Sequence, residues 1–340
     1  MKVGIVGGSF DPIHYGHIQM ARTALQDLAC DEVWFMPTKS TPLKDRSLTA
    51  DVHRLAMIQR VMAYDDRFRL CTLEMDREGK SYTIDTVKTL KQKYPAYEFI
   101  WMIGNDQLAQ FDQWKDPEEL TSLIQFVCVD RDGQLVPTEY PIQRIHMEAM
   151  PVSSSEIRQG NKLNYVPYTV LGYIYEHRLY VENFIAARET RHRYKHSVSV
   201  AHLCEEMALA NGLDGQKAYY IGLFHDIAKY MPKDEMLKWM QSVCPENMEY
   251  PVAVWHGFVG SEIVDRVFYL DDPQIKNAIY HHVLGDDHDD PYAMIVFCAD
   301  KTDPLRGYDS TDLINQCKAD IYQGFWAVKN ENDKYLEEGK

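Results

Sequence analysis

The chain has 340 residues, 45% of them hydrophobic, which gives material for two hydrophobic cores rather than one. No apolar run is long enough to span a bilayer, and the start runs straight into strand pattern without signal-peptide character. Seven cysteines without a Cys-x-x-Cys suit reduced thiols in a cytoplasm, so neither a membrane partner nor thiol catalysis is expected. The net charge of −15 argues against nucleic acid as a partner. Anionic substrates would instead need local Lys and Arg, helix N-termini and divalent metals.

Val3-Gly4-Ile5-Val6 is too short for a helix and suits a buried parallel strand. Gly7-Gly8-Ser9-Phe10-Asp11-Pro12-Ile13-His14-Tyr15-Gly16-His17 follows, then an amphipathic helix with Ile18, Ala21, Leu25 and Leu28 on one face. Strand, glycine turn and helix make a phosphate-binding arrangement. Gly7 and Gly8 let the backbone approach an anion, and free N–H groups at the helix start point at it. His14 and His17 lie three residues apart, so both imidazoles can face one ligand.

Residues 32–37 read as a second strand stopped by proline, followed by a helix with Leu55, Ile58 and Met62 on one face. A strand at 68–73, a helix from Thr83 (Ile84, Val87 and the stem of Lys91 on one side) and strands at 98–102 and 125–129 come next. This alternation predicts an α/β unit with a doubly wound parallel sheet. Ligands in such sheets sit at the carboxyl ends of strands, where Gly7-Gly8, Pro37-Thr38, Gly104-Asn105-Asp106 and Arg131 should converge. Ser153 and Glu156 have capping-box spacing, so a helix starting there would combine hydroxyls, free amides and Arg158 in a second anion site.

Helical pattern runs through 168–175, and the charged, aromatic stretch from Arg188 places a domain boundary near 187, giving units 1–187 and 188–340. Beyond it strand signals vanish. Val200, Leu203, Met207 and Ala210 form one helical stripe, and Tyr219, Leu223, Ile227 and Tyr230 another, so an all-α unit is expected. It carries His196, adjacent His225-Asp226, His256, His281-His282 and Asp300, spaced too widely for one helix but within reach of a bundle. Nitrogen and carboxylate donors without thiolate favour Fe, Mn, Mg or Zn. Neighbouring His and Asp can serve two metals with the carboxylate bridging, an arrangement that activates water for phosphoryl displacement. His192, His202 and His288 are assigned to surface or core.

The stretch Gly7 to His17 resembles the Gly-x-Phe-Asp-Pro-x-(His/Thr)-x-Gly-His signature of nicotinate/nicotinamide mononucleotide and phosphopantetheine adenylyltransferases. Val152-Ser153-Ser154-Ser155-Glu156-Ile157-Arg158 is similar to that group's Ile-Ser-Ser-Thr-x-Ile-Arg motif. Ser81-Tyr82-Thr83-Ile84-Asp85-Thr86 and Gly104-Asn105-Asp106 with Trp114 resemble the bacterial nicotinate mononucleotide branch. The resemblance implies a Rossmann-like nucleotidyltransferase fold. It also implies adenylyl transfer, in which the mononucleotide phosphate attacks the α-phosphorus of ATP and pyrophosphate leaves without a covalent enzyme intermediate. His14, His17, Lys44, Ser154, Arg158 and Mg²⁺ would carry catalysis by positioning and charge neutralisation. Gly7, Gly8, Ser9, Phe10, Gly104, Ser153 and Ser155 would bind ATP or the mononucleotide. The Tyr82-Thr83 backbone and the Trp114 ring would hold the pyridine, and Arg131 would meet a phosphate. Asp106 would hold a ribose or a metal-bound water, with a helix N-cap as the alternative. Two departures stand out: Leu43 replaces a common His, and Asp132 interrupts a common Arg-Pro-Gly.

Arg193-Tyr194-Lys195-His196, His225-Asp226-Ile227-Ala228-Lys229, Trp255-His256-Gly257 and Ala299-Asp300-Lys301 resemble the HD-domain phosphohydrolases over about residues 190–307. The branch most similar splits diadenosine tetraphosphate symmetrically into two ADP, using iron. It implies metal ligands His196, His225, Asp226, His256, His282 and Asp300, with iron first and Mn or Mg as alternatives. Alignment at Asn277-Ala278-Ile279 selects His282 over His281, where a tyrosine is usual. Lys229, one turn beyond Asp226 on the same helix face, would steady a phosphate beside the catalytic Asp226. The expectation is a fused enzyme acting on ATP, nicotinate mononucleotide and diadenosine tetraphosphate. One alternative keeps the transferase with a non-catalytic nucleotide-sensing HD module, which would lack bound metal. Another is an N-terminal phosphopantetheine adenylyltransferase, which lacks the Ser-Tyr-Thr-x-Asp-Thr segment. Nicotinate versus nicotinamide preference and oligomeric state, a homodimer included, stay open.

Overall fold

The computed structural model describes residues 1–39, 48–77, 82–130, 136–148 and 150–337. Two compact units emerge, Met1–His177 and Arg178–Lys340.

In the first unit β1 (Lys2–Gly8), α1 (Tyr15–Gln26), β2 (Glu32–Pro37), α2 (Asp51–Met62), β3 (Phe68–Leu70), α3 (Thr83–Lys93) and β4 (Glu98–Gly104) follow in order. α4 (Asn105–Leu108), α5 (Pro117–Leu123), β5 (Gln125–Asp130), β6 (Gln143–His146), α6 (Ser154–Arg158) and α7 (Tyr168–Glu176) complete it. The six strands pair in the order β3-β2-β1-β4-β5-β6, every pair parallel. Strand order reverses between β1 and β4, so the crevice at their carboxyl ends opens beside Gly8 and Gly104.

The expected strands are present, with β3 ending at Leu70 rather than 73. β6 was not expected; its four residues are exposed or half-exposed and carry no apolar run to announce an edge strand. The α1 face is as expected, with Ile18, Ala21, Leu25 and, just past the helix, Leu28 buried. On α2 the buried face is Arg54, Met57, Ile58 and Val61, while Leu55 and Met62 are only half-buried. A charged side chain heads that face because main-chain carbonyls receive it, as described below. Lys91 is exposed, its Nζ donating to the carbonyl of Leu123 at 2.8 Å.

The second unit contains α8 (Val181–Ala186), α9 (Arg191–Ala210), α10 (Gly215–Phe224), α11 (Lys233–Val243) and α12 (Trp255–Arg266). α13 (Pro273–His281), α14 (Pro291–Thr302), α15 (Thr311–Ala319) and α16 (Ile321–Glu337) follow, and no strand occurs among its described residues. The division falls at 177/178, one short helix earlier than the expected 187. α8 packs with the helical unit: Glu182 accepts from the hydroxyls of Tyr194 (2.8 Å) and Tyr219 (3.2 Å). Val200, Leu203, Met207, Tyr219, Leu223 and Ile227 are buried as expected, whereas Ala210 and Tyr230 are exposed. Among the described residues no helix is long and apolar enough to cross a membrane.

α9 and α10 approach closely at Gly222, where an added Cβ would lie 2.7 Å from Cα and 2.9 Å from N of Ala201. Both partners are main chain, so neither can step aside. Gly222→Ala should therefore destabilise the helical unit by about 1–3 kcal/mol in urea unfolding followed by circular dichroism. An unchanged midpoint would contradict this close approach.

Candidate active sites

The turn after β1 is shaped by Phe10, whose backbone is left-handed (φ 46°) and whose buried ring packs on His17 (5.0 Å) and Phe35 (5.8 Å). A non-glycine residue there is strained, and the aromatic packing holds it in place. His14 caps the start of α1, its N–H donates to His17 Nδ1 (3.3 Å), and the two ring centroids are 3.8 Å apart. Gly16 makes room for this pair. A Cβ at that position would stand 3.0 Å from the His14 ring and 3.5 Å from Val152.

The second motif meets the first. Ser153 caps α6 in a capping box with Glu156. Ser154 Oγ donates to the Pro12 carbonyl (2.9 Å) and Arg158 Nη1 to that of Asp11 (2.7 Å). Arg158 also reaches Ser155 Oγ (3.0 Å). The Ser-Ser-Ser helix start and the imidazole turn therefore form one structural piece, although 142 residues separate Ser154 from Pro12. The hydroxyl of Ser154 and one guanidinium nitrogen of Arg158 are engaged in holding the turn.

Thr38 N donates to Gly8 O (3.0 Å), bringing the end of β2 beside Gly7, Gly8 and Ser9. Tyr82 caps α3, is exposed and lies under Lys115 Nζ (5.0 Å); Thr83 is the first residue of that helix. Gly104 caps α4, so Asp106 is not the N-cap. Asp106 is an exposed first-turn residue whose carboxylate would meet a Cβ on Gly104 at 2.7 Å. Trp114 is half-buried against Phe111 (5.1 Å) and Phe126 (6.2 Å). Lys44 and Arg131, with Leu43, Ser81 and Asp132, lie outside the described residues.

Two residues of this site escaped the sequence reading. Arg54 is fully buried and donates to the carbonyls of Ser9 (2.9 Å), Thr38 (2.8 Å) and Thr49 (3.1 Å) and to Asp51 (2.5 Å). It ties the ends of β1 and β2 together from beneath. Glu74 is buried and accepts from Thr86 Oγ1 (3.0 Å), anchoring the start of α3; burial raises its carboxyl. Neither belongs to a periodic or motif signal.

In the helical unit six side chains converge from five helices or their ends. His196 comes from α9, His225 and Asp226 from the end of α10, His256 from α12, His282 from the end of α13 and Asp300 from α14. All are buried. Asp226 belongs to two groups of possible ligands, His196-His225-Asp226 and Asp226-His256-His282, each with its ligand atoms within 4.8 Å of one another. His256 Nε2 lies 3.2 Å and His282 Nε2 3.7 Å from Asp226 Oδ1, and His225 Nε2 lies 3.4 Å from Oδ2. Asp300 Oδ1 is 3.1 Å from His196 Nε2 and 3.8 Å from His225 Nε2. His282 faces the cluster, while half-exposed His281 turns to Asp286 (2.7 Å).

Lys229 is not on a helix face shared with Asp226. α10 stops at Phe224, and residues 225–230 form turns in which Lys229 N donates to Asp226 O (2.8 Å). The turn still delivers the ammonium, with Nζ 3.1 Å from His256 Nε2. A cavity of about 260 Å³ opens over the cluster, bordered by Lys229, Arg193, Lys301 and Arg306. Arg193 donates to Asp226 (2.7 Å), while Lys301 (2.8 Å) and Arg306 (2.6 Å) donate to Asp300.

Burial opposes ionisation of Asp226, but His225, His256 and His282 outweigh it and hold the carboxyl well below its usual range. Lys301, His196, His225 and Arg306 do the same for Asp300. Burial pushes His282 down to about 4 and lowers His256 and Lys229. For His196 burial is overcome by Asp300 and Asp303, which lift it to about 9.

The donor set fits a divalent metal pair. His225 Nδ1 lies 2.7 Å from the Gly222 carbonyl and His282 Nδ1 2.6 Å from that of Ile279, which aims each Nε2 inward. His225 Nε2 is buried without a hydrogen bond and beside two carboxylates, the situation a cation would resolve.

Residues 5–160 match the cytidylyltransferase-like family and residues 193–305 the HD domain. The nicotinate-nucleotide adenylyltransferase of Bacillus subtilis is 40% identical over 185 residues, 53% of this chain and 98% of its own. The chain belongs to the nicotinate-nucleotide adenylyltransferase family. A Bacillus licheniformis member, named as a probable nicotinate-nucleotide adenylyltransferase, is also 40% identical over 185 residues and is covered to 98%. A Mycoplasma pneumoniae protein named as a probable nicotinate-nucleotide adenylyltransferase/Ap4A hydrolase is similar along nearly the whole length. It is 29% identical over 330 residues, 93% of this chain and 95% of its own. Membership in this family removes the phosphopantetheine alternative for the first unit, and the second unit is an HD domain.

Arg54→Met would leave the half-buried carbonyls of Ser9, Thr38 and Thr49 without their buried donor. The expected cost is about 2–5 kcal/mol in chemical denaturation, partly recovered by Arg54→Lys. A loss below 1 kcal/mol, roughly the effect of an ordinary surface change, would refute the clamp.

Proposed function

We propose that the chain is a bifunctional enzyme. Its first unit transfers the adenylyl group of ATP to nicotinate mononucleotide, giving deamido-NAD and pyrophosphate. Its HD unit hydrolyses diadenosine tetraphosphate to two ADP. The observation that carries the first activity is the joining of the His14/His17 turn to the start of α6 through Ser154 and Arg158. The one that carries the second is Asp226 standing between two three-residue ligand groups.

In the transferase a phosphate oxygen of the mononucleotide forms a bond to the α-phosphorus as the bond to pyrophosphate breaks. ATP enters with Mg²⁺. The imidazoles of His14 and His17 and the N–H groups at the start of α1 supply donors where negative charge grows. Ser154 and Arg158 hold the turn that carries those imidazoles, so they act chiefly on its position. Tyr82, Thr83 and Trp114 would border the pyridine, and Asp106 a ribose. Lys44, Arg131, Ser153 and Ser155 would add phosphate contacts.

In the HD unit His196, His225, Asp226 and Asp300 would hold one metal, and Asp226, His256 and His282 the other; iron is the first candidate, Mn or Mg the alternatives. When bound, such a pair lowers the pKa of water and neutralises phosphate oxygens. Arg193, Lys229, Lys301 and Arg306 bring four cations to the cavity rim, where they would hold an anionic phosphate chain.

Two variants separate the activities. Asp226→Ala should lose bound metal and diadenosine tetraphosphate hydrolysis while leaving adenylyl transfer at the wild-type rate. His17→Ala should lower kcat for adenylyl transfer by roughly 100- to 1,000-fold and leave hydrolysis intact. Pyrophosphate release and ADP formation, followed in parallel on each protein, read both outcomes. A wild type that forms no ADP with iron or manganese supplied would return the HD unit to a sensing role.

A further inference from the structure

Asp303 stands one turn beyond Asp300, at the end of α14, and is fully buried. One carboxylate oxygen faces His196 Nδ1 at 2.5 Å. The other accepts from Ser199 Oγ (2.6 Å) and from the N–H of Leu305 (3.3 Å). Neighbouring positions on α14 thus hold both nitrogens of one imidazole, because His196 Nε2 faces Asp300 at 3.1 Å. Asp303 does not border the cavity, so it is placed to act on the ring and not on a substrate.

The histidines of the cluster are not supported alike. His225 and His282 direct Nδ1 at main-chain carbonyls, those of Gly222 and Ile279. His196 alone among these three directs it at a carboxylate. A carboxylate behind an imidazole fixes the ring with its lone pair on Nε2 and makes that nitrogen the stronger donor. A buried carboxylate is costly unless its partners compensate it, and those of Asp303 are His196, a hydroxyl that locks its angle and one N–H.

We infer that Asp303 is a positioning residue for the metal pair, making the His196-His225-Asp226 position the tighter of the two. Asp226-His256-His282 is the weaker and fills second. The inference rests on the metal-dependent reading of the HD unit.

The test uses the full chain, stripped with chelator and titrated with Mn²⁺. Calorimetry and the electron paramagnetic resonance of a coupled Mn pair are the readouts, with circular dichroism as the check on folding. The wild type should take up two Mn²⁺ in two unequal steps. Asp303→Asn should weaken the tighter step by roughly 10- to 100-fold and leave the other in place, so that the steps merge. Ser199→Ala should move the same step in the same direction by less, and it decides the matter should Asp303→Asn fail to fold. Retention of the wild-type tight step in folded Asp303→Asn would overturn the inference, as would equal weakening of both steps. A wild type that binds no Mn²⁺ would overturn the metal reading itself, and this inference with it.

Discussion

A carboxylate removed from water has to be met by positive charge or by hydrogen-bond donors, and the helical unit is arranged around that requirement at Asp226. Arg193, His225, His256 and His282 all lie within 4 Å of its two oxygens. They come from α9, the end of α10, α12 and the end of α13, so compensation of one charge fixes the mutual placement of four segments. Asp300 repeats the pattern with His196, Lys301 and Arg306. An ion pair network this buried is a poor way to gain stability, since apolar side chains of equal volume would do as well. Such a network is in keeping with the metal-dependent role proposed for the HD unit.

The first unit meets a related problem with main-chain amides and imidazoles. Anionic substrates must be received by an acidic chain, and the parallel sheet supplies helix N-termini and turn amides at the carboxyl ends of its central strands. A glycine-rich turn is soft, and here it is held from three sides. Arg54 takes the Ser9 carbonyl from beneath, α6 takes those of Asp11 and Pro12, and Phe10 is locked between His17 and Phe35. Arg54, α6 and Phe35 reach the turn from distant parts of the sequence, so the geometry of the imidazole pair depends on the unit being folded.

The sequence was legible where a local pattern carries the physics. Short apolar runs marked five of the six strands, the glycine-histidine signature marked the turn, and capping-box spacing marked the start of α6. The convergence of His196, Asp226, His256, His282 and Asp300 followed from family motifs, because spacing alone cannot say which helices meet. What stayed hidden were single residues acting through tertiary contact. Arg54, Glu74 and Asp303 look like solvated charges in a string of letters, yet each is buried with specific acceptors or donors. The edge strand β6 lacked an apolar signal, and Lys229 reaches the cluster from a turn where a continuous helix was expected. The division precedes α8, whereas the charged, aromatic stretch that marks it in the sequence begins only at Arg188.

The central claim, that Asp226 bridges two cation positions of different make-up, is tested most directly by anomalous diffraction from crystals of the full chain grown with Mn²⁺. Two peaks are predicted, one on each side of the Asp226 carboxylate, the first facing His196, His225 and Asp300, the second His256 and His282. A single peak, or two peaks that do not share Asp226, would contradict the account.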